Sequence, residues 1–318
     1  GCTSGYSSTV EINDQPPTPS VPSIGSITQP DCDNSTGSVV VNGLPSSGTW
    51  TLTRNPGGIT STGSGTSTTV SGLAPGTYNF SVTNSFGCTS GLSSSALINS
   101  QPPTPSAPVT GNITQPSCNV STGSVVLNGL PSSGTWTVTR QPNGETTTGS
   151  GTSTTISGLS NSIYTFTVTN SQGCTSQASA SVVINPQPET PSAPSPGTII
   201  QPSCDVSTGS VVLNDLPSTG TWTVNPGNIS GSGTSRTVSG LTPGNYNFTV
   251  TNAEGCTSPA SSTVTIDPQP VTPAVPTVGT ITHPTCDVST GRVFLSGLPS
   301  NGTWVITRSP GGTTTTGT

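Results

Sequence analysis

Three kinds of residue in this 318-residue chain could do chemistry: eight cysteines, one histidine and a thin scatter of carboxylates. The cysteines form two series, Cys32, Cys118, Cys204 and Cys286, and Cys2, Cys88, Cys174 and Cys256, each advancing by 86, 86 and then 82 residues. Such regular spacing beside a single histidine points to disulfides and to an oxidising, extracellular compartment. Zinc would need CxxC or Cys/His clusters at ligand spacing, and none is present. His283 stands where Gln29, Gln115 and Gln201 stand in the equivalent stretches, so it lacks the orienting partners a triad requires. Asp31 and Asp33 flank Cys32, while Asp205 and Asp287 each follow a cysteine, too few oxygens for a calcium site of about 6 to 8 ligands. A repeating chain that catalysed a reaction would repeat its acid, base or nucleophile, and this one does not. No catalytic, metal-binding or cofactor-binding residue is therefore assigned, and the chain is read as a non-enzyme without a cofactor.

The charges narrow the partners. There is no lysine, the cations are Arg54, Arg140, Arg236, Arg292 and Arg308, and the net charge is −6. Phosphate neutralisation is out of reach, so nucleic acid is excluded as a partner. Lys–Asn isopeptide staples are excluded for want of lysine, which leaves disulfides as the covalent cross-links. No apolar run approaches the roughly 20 residues of a membrane span, and no charged-then-apolar leader opens the chain, so any export signal lies outside this region. With 39 Gly, 32 Pro and 5% charged residues the composition borders on that of disordered chains, but aromatic and β-branched residues recur in phase and argue for order.

The elements that carry the cysteines are tandem repeats. The stretch "GLPSSGTW" at 43 to 50 returns at 129 to 136, then as "DLPSTGTW" at 215 to 222 and "GLPSNGTW" at 297 to 304. Proline-rich segments such as "DQPPTPSVP" (14 to 22) and "QPPTPSAP" (101 to 108) punctuate the repeats and read as extended, stiff boundaries. The division is a partial repeat at 1–13 (a C-terminal strand), complete repeats at 14–99, 100–185 and 186–267, and a partial repeat at 268–318 (N-terminal strands). Residue 1 aligns with Gly87 and residue 318 with Ser64, so a window on a longer chain, or a repeating stretch of a filament, is expected. Within the first complete repeat, strands are expected at 23 to 28 (A), 37 to 44 (B), 48 to 54 (C), 67 to 73 (E), 77 to 84 (F) and 93 to 99 (G), separated by Gly, Pro, Asn and Ser turns. The four residues missing from the third repeat, after its tryptophan, read as a surface-loop deletion. Alternation on strands C and F turns Trp50, Tyr78, Phe80 and Val82 inward. Trp50, Trp136, Trp222 and Trp304 are thus expected in the core, with sugar stacking as their competing role.

The stretches "GLAPGTYNF" (72 to 80), "GLSNSIYTF" (158 to 166) and "GLTPGNYNF" (240 to 248) resemble the tyrosine corner of fibronectin type III and immunoglobulin-like sandwiches. That resemblance implies that the hydroxyls of Tyr78, Tyr164 and Tyr246 hydrogen-bond back to turn backbone. The fold class expected is all-β: tandem immunoglobulin-like, fibronectin type III-like β-sandwiches in a linear rod. Taken together, "CDNSTGSVVV" and "TSTTVSGLAPGTYNFSVTNSFGCTS" resemble the SprB-type repeats of surface adhesins of gliding Bacteroidetes. The resemblance implies secretion and a place in a long cell-surface stalk or filament of a bacterium.

In such a sandwich Cys32, in the A–B turn, lies at one pole and Cys88, in the F–G turn, at the other. Strands of about 8 residues at roughly 3.3 Å each separate those poles by about 25 Å, against the roughly 7 Å between Cα atoms that a disulfide allows. Head-to-tail pairs, Cys32–Cys174 and Cys118–Cys256, are therefore expected, which leaves Cys2, Cys88, Cys204 and Cys286 with partners outside the segment. Intra-repeat pairing of Cys32 with Cys88, and interchain or free thiols, remain alternatives. Two functions follow: a structural segment of an extracellular filament or adhesin stalk, partnered by further repeats, or a multivalent carbohydrate-binding array that meets surface glycans or other cells.

Overall fold

Short runs in which apolar and polar residues alternate, cut by Gly, Pro and Asn, fold this chain entirely into strands and connections. The computed structural model describes all residues, Gly1–Thr318, and the chain divides into two compact units, Gly1–Gln187 and Pro188–Thr318.

The first unit holds two sandwiches. Strands β1 (Ser23–Thr28), β2 (Gly37–Asn42), β3 (Trp50–Asn55), β4 (Ile59–Gly63), β5 (Ser67–Leu73), β6 (Gly76–Thr83) and β7 (Ala96–Ile98) make a three-stranded sheet, β1-β2-β5, and a four-stranded sheet, β4-β3-β6-β7. Strands β8 (Val109–Thr114), β9 (Gly123–Asn128), β10 (Trp136–Gln141), β11 (Glu145–Gly149), β12 (Ser153–Leu159), β13 (Ser162–Thr169) and β14 (Val182–Ile184) repeat the plan as β8-β9-β12 and β11-β10-β13-β14. This three-plus-four antiparallel arrangement is an immunoglobulin-like sandwich of fibronectin type III-like form. Residues 1–13, where a C-terminal strand was expected, hold no strand. In the complete repeats that strand pairs with the one before it, β7 on β6, and residues 1–318 contain no such neighbour for 1–13.

Each sandwich encloses its own core, drawn from the inward positions of both sheets: Val39, Val41, Trp50, Leu52, Phe80 and Val82 in the first, and Val125, Leu127, Trp136, Val138, Phe166 and Val168 in the second. Trp50 and Trp136 are both 3% exposed, and their indole N–H groups donate to Gly65 and Gly151 carbonyls at 2.8 Å. Burying a tryptophan removes about 150–250 Å² from water, on the order of 4–6 kcal/mol as an upper figure. The ring packs closely against a glycine across the hairpin. Trp136 faces Gly149 in register, and a Cβ on Gly149 would sit 2.5 Å from Trp136 Cη2.

Strands β4 and β11 correct the sequence reading, which took this stretch for a loop. They pair with β3 and β10 over five residues each, so the four-residue deletion in the third repeat shortens a hairpin. In the second unit, β15 (Ser195–Ile200), β16 (Gly209–Asn214), β17 (Trp222–Asn225), β18 (Ile229–Gly231), β19 (Arg236–Leu241), β20 (Gly244–Tyr246), β21 (Thr249–Thr251) and β22 (Val264–Ile266) form sheets β15-β16-β19, β18-β17-β21 and β20-β22. Trp222 still faces Gly231 and Val224 faces Ile229, so two residues are lost from each strand. Removing two per strand preserves which face every remaining side chain occupies, because the strand period is two. The shortened β17 ends opposite Thr249, which leaves Asn247 and Phe248 without the ladder partners their counterparts have, and the strand breaks there into β20 and β21. The unit ends with β23 (Thr277–Thr282) on β24 (Arg292–Ser296) and β25 (Trp304–Thr307) on β26 (Thr314–Gly317). Trp304 is only half-buried there.

Replacing Gly149 by alanine should overpack the second core and cost about 1–3 kcal/mol. Guanidinium unfolding followed by tryptophan fluorescence should show a lowered midpoint for Gly149→Ala, while Gly151→Ser, where nothing lies within 4 Å of the added Cβ, tests the cost of positive φ alone.

Candidate functional site at the bridged junction

Two of the eight cysteines, with Asp31 and Asp33 beside one of them, lie where the turn between β1 and β2 meets the next repeat. Cys32, in that turn, is joined to Cys174, in the connection between β13 and β14, with Cα atoms 5.3 Å apart and 142 residues between them in sequence. Cys118 and Cys256 are also disulfide-bonded. Cys2, Cys204 and Cys286 are exposed free thiols and Cys88 a half-buried one. Cys32 and Cys88 are not joined to each other.

Local hydrogen bonds present Cys174 to its partner. Asn170 Oδ1 accepts from the backbone N–H groups of Gln172 and Cys174, both at 3.0 Å, and Asn170 N–H donates to the Cys174 carbonyl. The turn needs a residue at φ 86°, which Gly173 supplies without Cβ strain. The Asn170 amide also donates to the Pro103 carbonyl at 2.8 Å, while Gln101 Nε2 donates to the Cys32 carbonyl at 3.0 Å. The proline linker is thereby held to the first repeat at Gln101 and to the second at Pro103. On the other side of the bridge, Asp31 accepts from the Asn34 N–H, the Asn34 side chain and the Asp33 N–H, which holds its carboxyl below the ordinary carboxylate range. The turn contribution of Asp31 is present at pH above the usual aspartate pKa and lost as pH falls through the depressed one.

Two structural devices behind the junction escaped the sequence reading. Gln29 Nε2 donates to the Leu97 carbonyl at 2.9 Å and its Oε1 accepts from Asn99 N–H at 2.8 Å, so one amide side chain staples β1 to the end of β7. Gln115 does the same with Val183 and Asn185, and Gln201 with Thr265 and Asp267. Behind the cysteine turn, Ser176 and Ser179 are buried, and their hydroxyls accept from Val168 and Phe166 N–H groups while donating to the next carbonyl along. Ser90 and Ser93 in the first repeat, and Ser258 and Ser261 in the second unit, repeat this. Each hydroxyl completes the backbone hydrogen bonding of a strand whose neighbour is too short to reach, which engages the serines fully as structure. The available signals were the Gln-Pro that recurs before Cys32, Cys118 and Cys204 and the serines two and five positions after the other cysteine series.

The aromatic positions lie apart from the junction. Trp222, at 2% exposed, joins Trp50 and Trp136 as core. Tyr78, Tyr164 and Tyr246 donate their hydroxyls to the carbonyls four residues back, Ala74, Ser160 and Thr242, at 2.9–3.0 Å. His283 and the carboxylates form no cluster able to hold a metal ion. No helix is long and apolar enough to cross a membrane.

Changing Ser179 to alanine should leave the buried Phe166 N–H without its acceptor and cost about 1–3 kcal/mol. Hydrogen exchange should report faster exchange at Phe166 in Ser179→Ala and no change in Ser181→Ala, where the side chain is exposed.

No family model and no curated protein matches this chain. Among solved structures, the FN1–FN3 domains of chicken CNTN1 are similar at 15% identity over 80% of this chain and 100% of that one, with a TM-score of 0.30.

Proposed function

We propose that this chain is a load-bearing segment of an extracellular filament or adhesin stalk, whose task is reach and mechanical continuity rather than catalysis. The observation that carries the reading is the covalent bond from Cys32 in one repeat to Cys174 in the next. A disulfide placed there does little for either sandwich alone and much for the connection between them. Cys118 and Cys256 are disulfide-bonded as well. Stable bridges belong to oxidising compartments, which supports an extracellular location. The resemblance to SprB-type repeats adds the bacterial cell surface of a gliding organism as its setting, with further repeats of the same chain as its partners. The buried tryptophans weigh against the sugar-stacking array, since an aromatic enclosed in a core has no face to offer.

Pulling the chain from its two ends tests this directly. The bridge withholds the contour between its cysteines, 142 residues apart, which at about 3.5 Å per residue is roughly 500 Å. Force spectroscopy should show at least that length missing without reductant and regained with it, and Cys32→Ser combined with Cys118→Ser, which also removes the second bridged cysteine inside this stretch, should release it without reductant. Full extension of the unmodified chain under nonreducing conditions would contradict a junction that carries load.

A further inference from the structure

The two sandwiches of the first unit place an arginine identically and partner it differently. Arg54, near the end of β3, and Arg140, in the same place on β10, lie over Tyr78 and Tyr164 with guanidinium-to-ring distances of 5.4 and 5.5 Å. In both, Nε is buried without a hydrogen-bond partner. Across the hairpin, Arg140 faces Glu145 and forms an ion pair with its carboxylate. Arg54 faces Ile59 instead, and beyond its contact with Tyr78 its side chain makes no hydrogen bond or ion pair. The third repeat lacks this pair altogether, since the hairpin deletion removes it.

Stacking on tyrosine holds the planar guanidinium in place, so a ligand need not order the side chain first. Glu145 identifies what that geometry accepts: a carboxylate at the strand position opposite the arginine. A partly desolvated guanidinium without a counter-ion gains a charge-assisted hydrogen-bonded pair when one arrives. The surroundings narrow the source. In the second sandwich Arg140 and Glu145 line one niche with Thr147, Thr155 and Ser157. The corresponding residues of the first are Ser61, Thr69 and Ser71, all exposed hydroxyls, with Ile59 57% exposed beside them. Hydroxyls together with a small apolar surface and one cation match a sugar acid, whose ring hydroxyls, C–H face and carboxylate need those three things together. A protein carboxylate would use only the cation.

We propose that Arg54 is the recognition residue of a niche between β4 and β5 that binds the uronic acid units of an acidic polysaccharide, and that Glu145 fills the equivalent niche of the next repeat from within. Since the chain is itself net negative, binding comes from the niche and not from the overall field, and a single unit should bind on the order of 1 mM.

The test uses the whole chain with ¹⁵Nε-labelled arginine, which gives a signal for each of its five arginines. Sodium glucuronate should shift the Arg54 signal in a saturable way and leave Arg140 unmoved, and glucose should shift neither. Ile59→Glu, which copies the folded arrangement of the second repeat, should abolish the response at least tenfold, and Glu145→Ile should make Arg140 respond. Absence of an Arg54 shift, or a shift that survives Ile59→Glu, would overturn the proposal. Equal responses to acetate or N-acetylglutamate would also overturn it, by making the niche a receptor for any carboxylate, including one from a protein.

Discussion

A disulfide is satisfied only when two Cα atoms come within a few ångströms, and Cys32 and Cys174 meet this from different sandwiches. That constraint organises the rest of the first unit. The turn after β1 must end at one pole of its repeat and the turn after β13 at the facing pole of the next, with the proline linker folded between them. Asn170 and Gln101 hold that linker from both sides, so the bridge closes over a path already fixed by hydrogen bonds. Stiff proline segments reduce the freedom the junction must give up, and the disulfide removes most of what remains.

Units of this size bury little apolar surface, and the structure shows how they manage. One tryptophan supplies a large share of each core, seated against a glycine and tied by its N–H to a carbonyl on the far side of the hairpin. Tyrosine hydroxyls, serine hydroxyls and glutamine amides then finish the backbone hydrogen bonds that short edge strands leave open. Because those partners are inside the same repeat, each sandwich is complete before it is bridged. The third repeat shows the tolerance of the scheme. It gives up four residues and the arginine that covers the tyrosine, and Tyr246 is correspondingly more exposed than Tyr164, yet the Trp222 to Gly231 pairing is unchanged.

Much of this was legible in the residues. Strand β1 runs over the same residues, 23 to 28, that were expected from a short run between turns, and the inward tryptophans follow from alternation, because a buried face imposes a period of two. The strand β4 was not legible. "ITSTG" and "ETTTG" are exposed along almost their whole length, so no apolar face marks them, and only their pairing to β3 and β10 makes them strands. Gln29 and the buried serines were hidden for a different reason: their partners are backbone atoms, which have no sequence signature, and for Gln29 they lie 68 and 70 residues away. The contrast between Arg54 and Arg140 was visible as letters but had no meaning until the register placed Ile59 and Glu145 opposite them.

The measurement that bears most directly on this account is the disulfide map of the unreduced protein. Digestion with a broad-specificity protease, since five arginines offer trypsin few sites, followed by mass spectrometry, should yield a cross-linked peptide that contains Cys32 and Cys174. Recovery of Cys32 joined to Cys88 would instead make each sandwich an independently stapled bead on its linker, and would contradict both the strand topology and the load-bearing junction built on it.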